Sequence, residues 1–150
     1  MAGTYTNLIY HLVFSTKRRV PWLSPAVRDR IHQYMGGHIR DEGGVLYEIG
    51  GMPDHVHLLA RLRPVESISD YLRDIKSHVS GWIHETFPEM REFGWQDGYG
   101  AFSVSYSQMN RVKAYIQNQE KHHQRFDFKI EFIRFLKANG IEYDEQHIWG

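Results

Sequence analysis

The chain of 150 residues contains no cysteine, so disulfides, thiolate metal sites and cysteine nucleophiles are all excluded. Its longest apolar runs fall far short of the ~20 residues that cross a bilayer, and the N-terminus opens on a polar-interrupted strand pattern, not an export signal. No membrane association is expected, and a cytoplasmic, reducing setting fits. Charge of one sign is missing too: eighteen basic residues balance eighteen acidic ones, so bulk charge lends no support to nucleic-acid binding. Glu142, Asp144 and Glu145 crowd the end without a Lys or Arg among them, which leaves a basic surplus over the preceding chain and room for a local basic face. Absent as well are a phosphate-cradling glycine loop, a Gly-x-Ser-x-Gly elbow and a His-Glu-x-x-His helix, so nucleotide hydrolysis and serine chemistry have no foothold.

Hydrophobic residues make up 41% and aromatics 14%, enough apolar surface to fold, and the length suits one domain over residues 1–150 with no internal boundary. Residues 5–15 are β-branched and aromatic on both alternating faces, as in a central strand covered on two sides. Ser24-Pro25 then opens a helix that should reach about Arg40 and stop at Gly43-Gly44. Val45, Tyr47 and Ile49 alternate with Leu46 and Glu48. Val56, Leu58, Ala60 and Leu62 repeat the pattern after a turn over residues 50–54, which predicts a hairpin.

Ser67 to Asp70 reads as a capping box, and Ile68, Leu72, Ile75, Val79 and Trp82 step by three and four until Pro88. Phe102, Val104 and Tyr106 alternate with serines as a further strand. Ser107 is expected to cap a helix striped by Met109, Val112 and Ile116, and a last helix runs from Asp127 to Asn139-Gly140. Strand, helix, strand, strand, helix, strand, helix, helix is the order of an α+β, ferredoxin-like or RRM-like antiparallel sheet with helices mainly on one face.

Chemistry concentrates in two places. Residues two apart on a strand project to the same side about 7 Å apart, so His55 and His57 can chelate one ion. With Val56, Leu58, Ala60 and Leu62 turned to the core, the two histidines look out of the opposite face with Arg61 and Arg63, free to bind something. Two ligands leave a divalent ion incomplete; without cysteine the third is a carboxylate, another histidine, an amide oxygen or water. Asp54 either orients an imidazole through its second nitrogen or shapes the turn. Tyr115 and Gln119 lie four apart on the predicted helix, stacked on one face at the border of the apolar stripe. His122 and His123, adjacent on a helix, diverge by about 100° and share an ion poorly. His11, mid-strand, reads as a satisfied core histidine, and His38 and His78 have no usable partner spacing.

The segments His55-Val56-His57 and Tyr115-Ile116-Gln117-Asn118-Gln119 together resemble the HUH-type single-tyrosine transposases, the insertion-sequence-200-like family, to which the REP-associated tyrosine transposases are related. The likeness extends to residues 10–19 and 94–105 and past His122-His123. It implies that His55, His57 and the Gln119 amide hold Mg²⁺ or Mn²⁺, and that Tyr115 attacks a phosphate of single-stranded DNA and keeps a 5′-phosphotyrosine. It further implies a homodimer that recognises hairpins near element ends. Lys17, Arg18, Arg19, Arg61, Arg63, Arg111 and Lys113 are the candidates for holding DNA phosphates. Two rivals remain: a non-catalytic nucleic-acid-binding sheet, which Tyr115→Phe would leave intact, and a metal hydrolase whose activity would survive that change.

Overall fold

A computed structural model describes residues 3–149. Its four strands are β1 (Ile9–Ser15), β2 (Val45–Met52), β3 (His55–Arg61) and β4 (Gly100–Val104), and they form one antiparallel sheet in the order β2-β3-β1-β4. That is the ferredoxin-like order. Helix α1 (Pro25–Asp41) joins β1 to β2 and α2 (Ile68–Thr86) joins β3 to β4; α3 (Met109–Gln117), α4 (Gln119–His122) and α5 (Phe128–Ala138) follow.

Alternation along the strands sorts side chains between two faces. Leu12, Phe14, Val56 and Leu58 meet Ile31, Met35 and Ile39 of α1 and Leu72, Ile75, Val79 and Ile83 of α2 in the larger core. Fully burying each such side chain contributes ~1.5–3 kcal/mol, so α2 alone, with five buried positions, anchors this face firmly. Its start is fixed as expected: the Ser67 hydroxyl accepts from the Asp70 N–H.

The other face is covered as well. Ile9, Leu59 and Val104 pack on Ile116 of α3, and Val13 and Phe102 pack on Phe128, Phe132 and Leu136 of α5. Gly50 on β2 makes the first of these contacts close: a Cβ there would stand 2.6 Å from the Ile116 carbonyl oxygen, so only glycine lets the α3 backbone come down onto the sheet.

Several boundaries differ from expectation. The first strand starts at Ile9, and Tyr5 is exposed, because β3 and β4 offer paired partners only from Ile9 onward. The hairpin turn shrinks to Pro53-Asp54, since β2 stays paired through Met52 opposite His55. Tyr106 leaves the fourth strand for a short 3-10 turn over Tyr106–Gln108, so Ser107 caps nothing and α3 begins at Met109 without a side-chain cap. The predicted single tyrosine helix is broken at Asn118, whose side-chain amide bonds the Ala114 carbonyl at 2.8 Å and competes with continued helix.

Candidate active site

His55 and His57 project from β3 on the face that α3 and α5 cover, and both are fully buried. They do share the face opposite Val56 and Leu58, but for the histidines the expectation of exposure is wrong: they line a closed site, whereas Arg61 and Arg63 farther along are exposed as expected. Each ring is fixed through its Nδ1. Asp54 Oδ1 lies 2.7 Å from His55 Nδ1 and His11 Nε2 lies 2.7 Å from His57 Nδ1, so both Nε2 atoms turn toward the helices. Asp54 therefore orients an imidazole while sitting in the turn. His11 is the buried, satisfied histidine expected, and its partner is His57.

The three helices after β4 supply the other wall. Because the chain turns at Asn118, the Gln119 side chain is buried while Tyr115 stays on α3. Gln119 Oε1 accepts from His55 Nε2 at 2.8 Å and stands 3.1 Å from His123 Nε2. Glu131, which sequence reasoning missed, sits at the centre. Its carboxylate lies 2.9 Å from His57 Nε2, 3.3 Å from the Nε2 atoms of His55 and His123, and accepts from Gln119 Nε2 at 3.0 Å and from the Tyr115 hydroxyl. One signal did point to it: Glu131 falls on the same side of α5 as Phe128, Phe132 and Phe135, a lone carboxylate within an apolar stripe. His122 and His123 diverge as expected, His122 stacking on the Tyr115 ring at 4.3 Å.

Electrostatics follow from this packing. Burial disfavours charge on His55, but hydrogen bonds to Asp54 and Glu131, with their negative charges, outweigh it and raise the imidazole to about 9. With donors at both nitrogens it is an imidazolium. Burial opposes ionisation of Glu131 too, yet hydrogen bonds from His123, His55 and His57 hold it well below the ordinary carboxylate range. His57 and His11 go the other way, lowered chiefly by burial, His11 to about 3. The opposite signs at His57 and His55 on one carboxylate are reconciled by a single cationic ring, His55, beside a neutral His57 that donates Nε2–H. Burial and the Glu131 charge push the Tyr115 phenol up.

A groove of about 360 Å³ reaches Tyr115 and Glu131 from outside, walled by His122, Phe126, Arg134 and Phe135. The basic candidates are not gathered around it. Lys17, Arg18 and Arg19 lie at the His55 end of the sheet, where the Thr16 N–H bonds the Asp54 carbonyl, and Arg19 caps Trp149. Arg61 and Arg63 lie at the far end of β3, four and six residues beyond His57, with Arg63 paired to Glu66. Arg111 and Lys113 are exposed on α3.

Comparison with known proteins agrees with both fold and sequence pattern. Residues 4–119 match the model of the family described as "Transposase IS200 like". The chain is similar to the ISDra2 transposase TnpA of Deinococcus radiodurans, with 27% identity over 122 residues, covering 78% of this chain and 87% of that one. It superposes on the crystal structure of a candidate transposase from Deinococcus radiodurans R1 with a TM-score of 0.67 at 27% identity, covering 79% of this chain and 95% of that one. A REP-associated tyrosine transposase bound to a REP hairpin shares the fold, with a TM-score of 0.60 at 15% identity over 82% of this chain and 73% of that one. Since the family match spans both the histidine strand and the tyrosine helix, the chain belongs to the IS200-like transposase family.

Proposed function

We propose that the protein cuts and rejoins single-stranded DNA through a covalent bond between Tyr115 and a 5′-phosphate, with Mg²⁺ or Mn²⁺ held by His55, His57 and Gln119. The observation that carries this reading is the convergence of the Tyr115 hydroxyl, both Nε2 atoms and the Gln119 amide on one buried point, the Glu131 carboxylate.

The donor set suits such an ion. Six ligands at ~2.1 Å place neighbouring donors ~3 Å apart. His55 Nε2 to Gln119 Oε1 is 2.8 Å, His57 Nε2 to Glu131 Oε1 is 2.9 Å and His55 Nε2 to Glu131 Oε1 is 3.3 Å. Glu131 thus adds a carboxylate oxygen to the three ligands that the family likeness implies. When bound, the ion serves as a Lewis acid on the scissile phosphate and offsets negative charge near the phenol.

The chain's own residues do the remainder. Asp54 holds His55 with its Nε2 inward, and neutral His11 accepts from His57 Nδ1–H once Nε2 is committed to a ligand. Tyr115 Oη forms a bond to phosphorus as the bond to the 3′ oxygen breaks. The phenol proton departs and the leaving oxygen gains one, giving a 5′-phosphotyrosine and a free 3′-hydroxyl. Because the phosphodiester energy is kept, a different 3′-hydroxyl reverses the step without ATP. In the resting site the raised phenol stays protonated, held by Glu131. Lys17, Arg18 and Arg19, at the His55 end, are best placed to receive the DNA backbone, and hairpin-bearing element ends and a homodimer are the partners this reading carries.

The test is incubation of the protein with Mg²⁺, Mn²⁺ or chelator and a pool of labelled single strands containing hairpins from DNA flanking its gene. A metal-dependent, denaturant-resistant adduct that disappears in Tyr115→Phe is expected. Tight binding without an adduct under either metal would instead assign a non-catalytic binding module.

A further inference from the structure

We propose a second metal site, built from His38 on α1 with Asp74 and His78 on α2, that binds Zn²⁺ or a similar transition ion and ties the two helices together. It lies on the sheet face opposite His55 and His57 and shares no residue with that site, so it stands apart from the proposed nuclease chemistry.

The placement is a product of tertiary packing. Asp74 and His78 are one helical turn apart, and α1 brings His38 against them. His38 Nε2 is 3.1 Å from Asp74 Oδ2, and His78 Nδ1 is 3.3 Å from Asp74 Oδ1. One ligand atom from each residue falls within 4.8 Å of the other two. The imidazoles stack with centroids 4.5 Å apart, so both nitrogens reach one carboxylate from the same side. Donors bound to a tetrahedral Zn²⁺ at ~2.0–2.2 Å stand ~3.3 Å apart, which these spacings match with small side-chain adjustment.

Charge favours a cation. His38 and Asp74 also line a cavity of about 440 Å³ with Glu42, Glu66, Asp70 and Arg73; Glu66 is paired with Arg63 and Asp70 with Arg73, which leaves Glu42 and Asp74 as its carboxylates without an arginine partner. The Tyr71 hydroxyl borders the same cavity, buried and without a hydrogen-bond partner. Two imidazole nitrogens and a single carboxylate at near-tetrahedral spacing, with no amide oxygen among them, suit Zn²⁺, Co²⁺ or Ni²⁺. Three protein ligands leave a fourth position for water. His78 Nδ1 lies 2.9 Å from the Asp74 carbonyl, so it donates there when no ion is bound and exchanges that hydrogen bond for the metal.

Zn²⁺ binding to tag-free, chelator-stripped full chain tests this. Asp74→Asn and His78→Gln each lose one equivalent of Zn²⁺ relative to wild type, and each loses one further equivalent when combined with His57→Ala, so the loss is separate from any ion at His55 and His57. Saturating Zn²⁺ raises the melting temperature of wild type more than that of either variant. Asp74 and His78 are half-exposed, with side chains 43% and 53% accessible, so neither replacement opens a cavity. In the wild-type protein the His38 and His78 ring resonances shift together along one Zn²⁺ saturation curve. Equal Zn²⁺ uptake by wild type and both variants, or ring resonances that do not respond, overturns the site.

Discussion

Removing the Glu131 carboxylate should destabilise the ion-free protein more than any single truncation of a surface charge. The side chain is 1% exposed and receives His57 at 2.9 Å, Gln119 at 3.0 Å, the Tyr115 hydroxyl, and the His55 and His123 rings at 3.3 Å. Each donor orphaned in a dry site costs ~1–3 kcal/mol, and removing one partner of a buried ion pair costs ~3–5 kcal/mol. These terms overlap, because His55 can shed its proton once its counter-charge is gone, so ~3–5 kcal/mol is expected for Glu131→Ala at pH 7. At ~2–4 °C per kcal/mol for a chain of this size, the melting temperature should fall by roughly 6–20 °C. Thermal unfolding in chelator, followed by circular dichroism from pH 5 to 9, reads this directly. The pH arm has a definite sign. His55 is raised from 6.5 unfolded to about 9 folded, so its contribution is complete below pH 6.5 and is lost as pH climbs toward 9. It amounts to ~3 kcal/mol at most. Wild type should therefore weaken over that window, and Glu131→Ala should weaken less. A loss below ~1 kcal/mol at pH 7, or a wild-type curve flat from pH 6.5 to 9, would refute the view of Glu131 as the ionic centre of the site.

Acid should act through other histidines. His32, lowered from 6.5 to about 4 chiefly by burial and with an unpartnered buried Nε2, contributes stability above pH 6.5 that drains as pH falls toward 4. His32→Gln should flatten that slope in urea titrations, and an unchanged slope would assign acid sensitivity elsewhere. Asp54→Asn should weaken Mn²⁺ binding about 10–100-fold by calorimetry, as loss of an orienting carboxylate does; an unchanged affinity would demote Asp54 to a turn residue. Ion binding requires His55 Nε2 to lose its proton, so affinity should rise with pH up to about 9, with proton release visible as a buffer-dependent heat. Mixing Tyr115→Phe with His57→Ala tests sharing between subunits: Tyr115 stands over its own chain's histidines here, and recovered adduct would show that the tyrosine helix can change partners.

The elements that were legible are those whose signals are local. A serine cap, a stepped apolar stripe and a following proline define α2 within some twenty residues, and the His-x-His alternation on β3 needs only the pleat. Burial of the two histidines is not legible locally, because polarity on a strand face signals solvent unless later elements, here α3 to α5, bring their own polar atoms to meet it. Glu131 was missed for the same reason at longer range: 74 residues separate it from His57, and only the apolar neighbours on α5 mark it as buried. The break at Asn118 leaves no mark in the spacing, because four residues also keep two side chains together on a continuous helix. Here the chain turns between Tyr115 and Gln119 and still leaves both on Glu131.

That break has a functional logic. The histidines ride on β3, paired on both sides and packed on α1 and α2, so their spacing is as rigid as the sheet. Tyr115, the nucleophile of the proposed mechanism, rides on a nine-residue helix, joined to β4 by a 3-10 turn and seated on the sheet at Gly50 and Ile116. The proposed covalent intermediate would have to hold one DNA end while the other is exchanged, and this asks for a fixed ligand frame with a tyrosine able to move relative to it. A continuous helix would carry Gln119 along with Tyr115 and dismantle the ligand set at each displacement. On that mechanism, interrupting the helix at Asn118 would let Gln119 stay with His55 and Glu131 if α3 swings on its turn, so the break would separate what must stay from what must move.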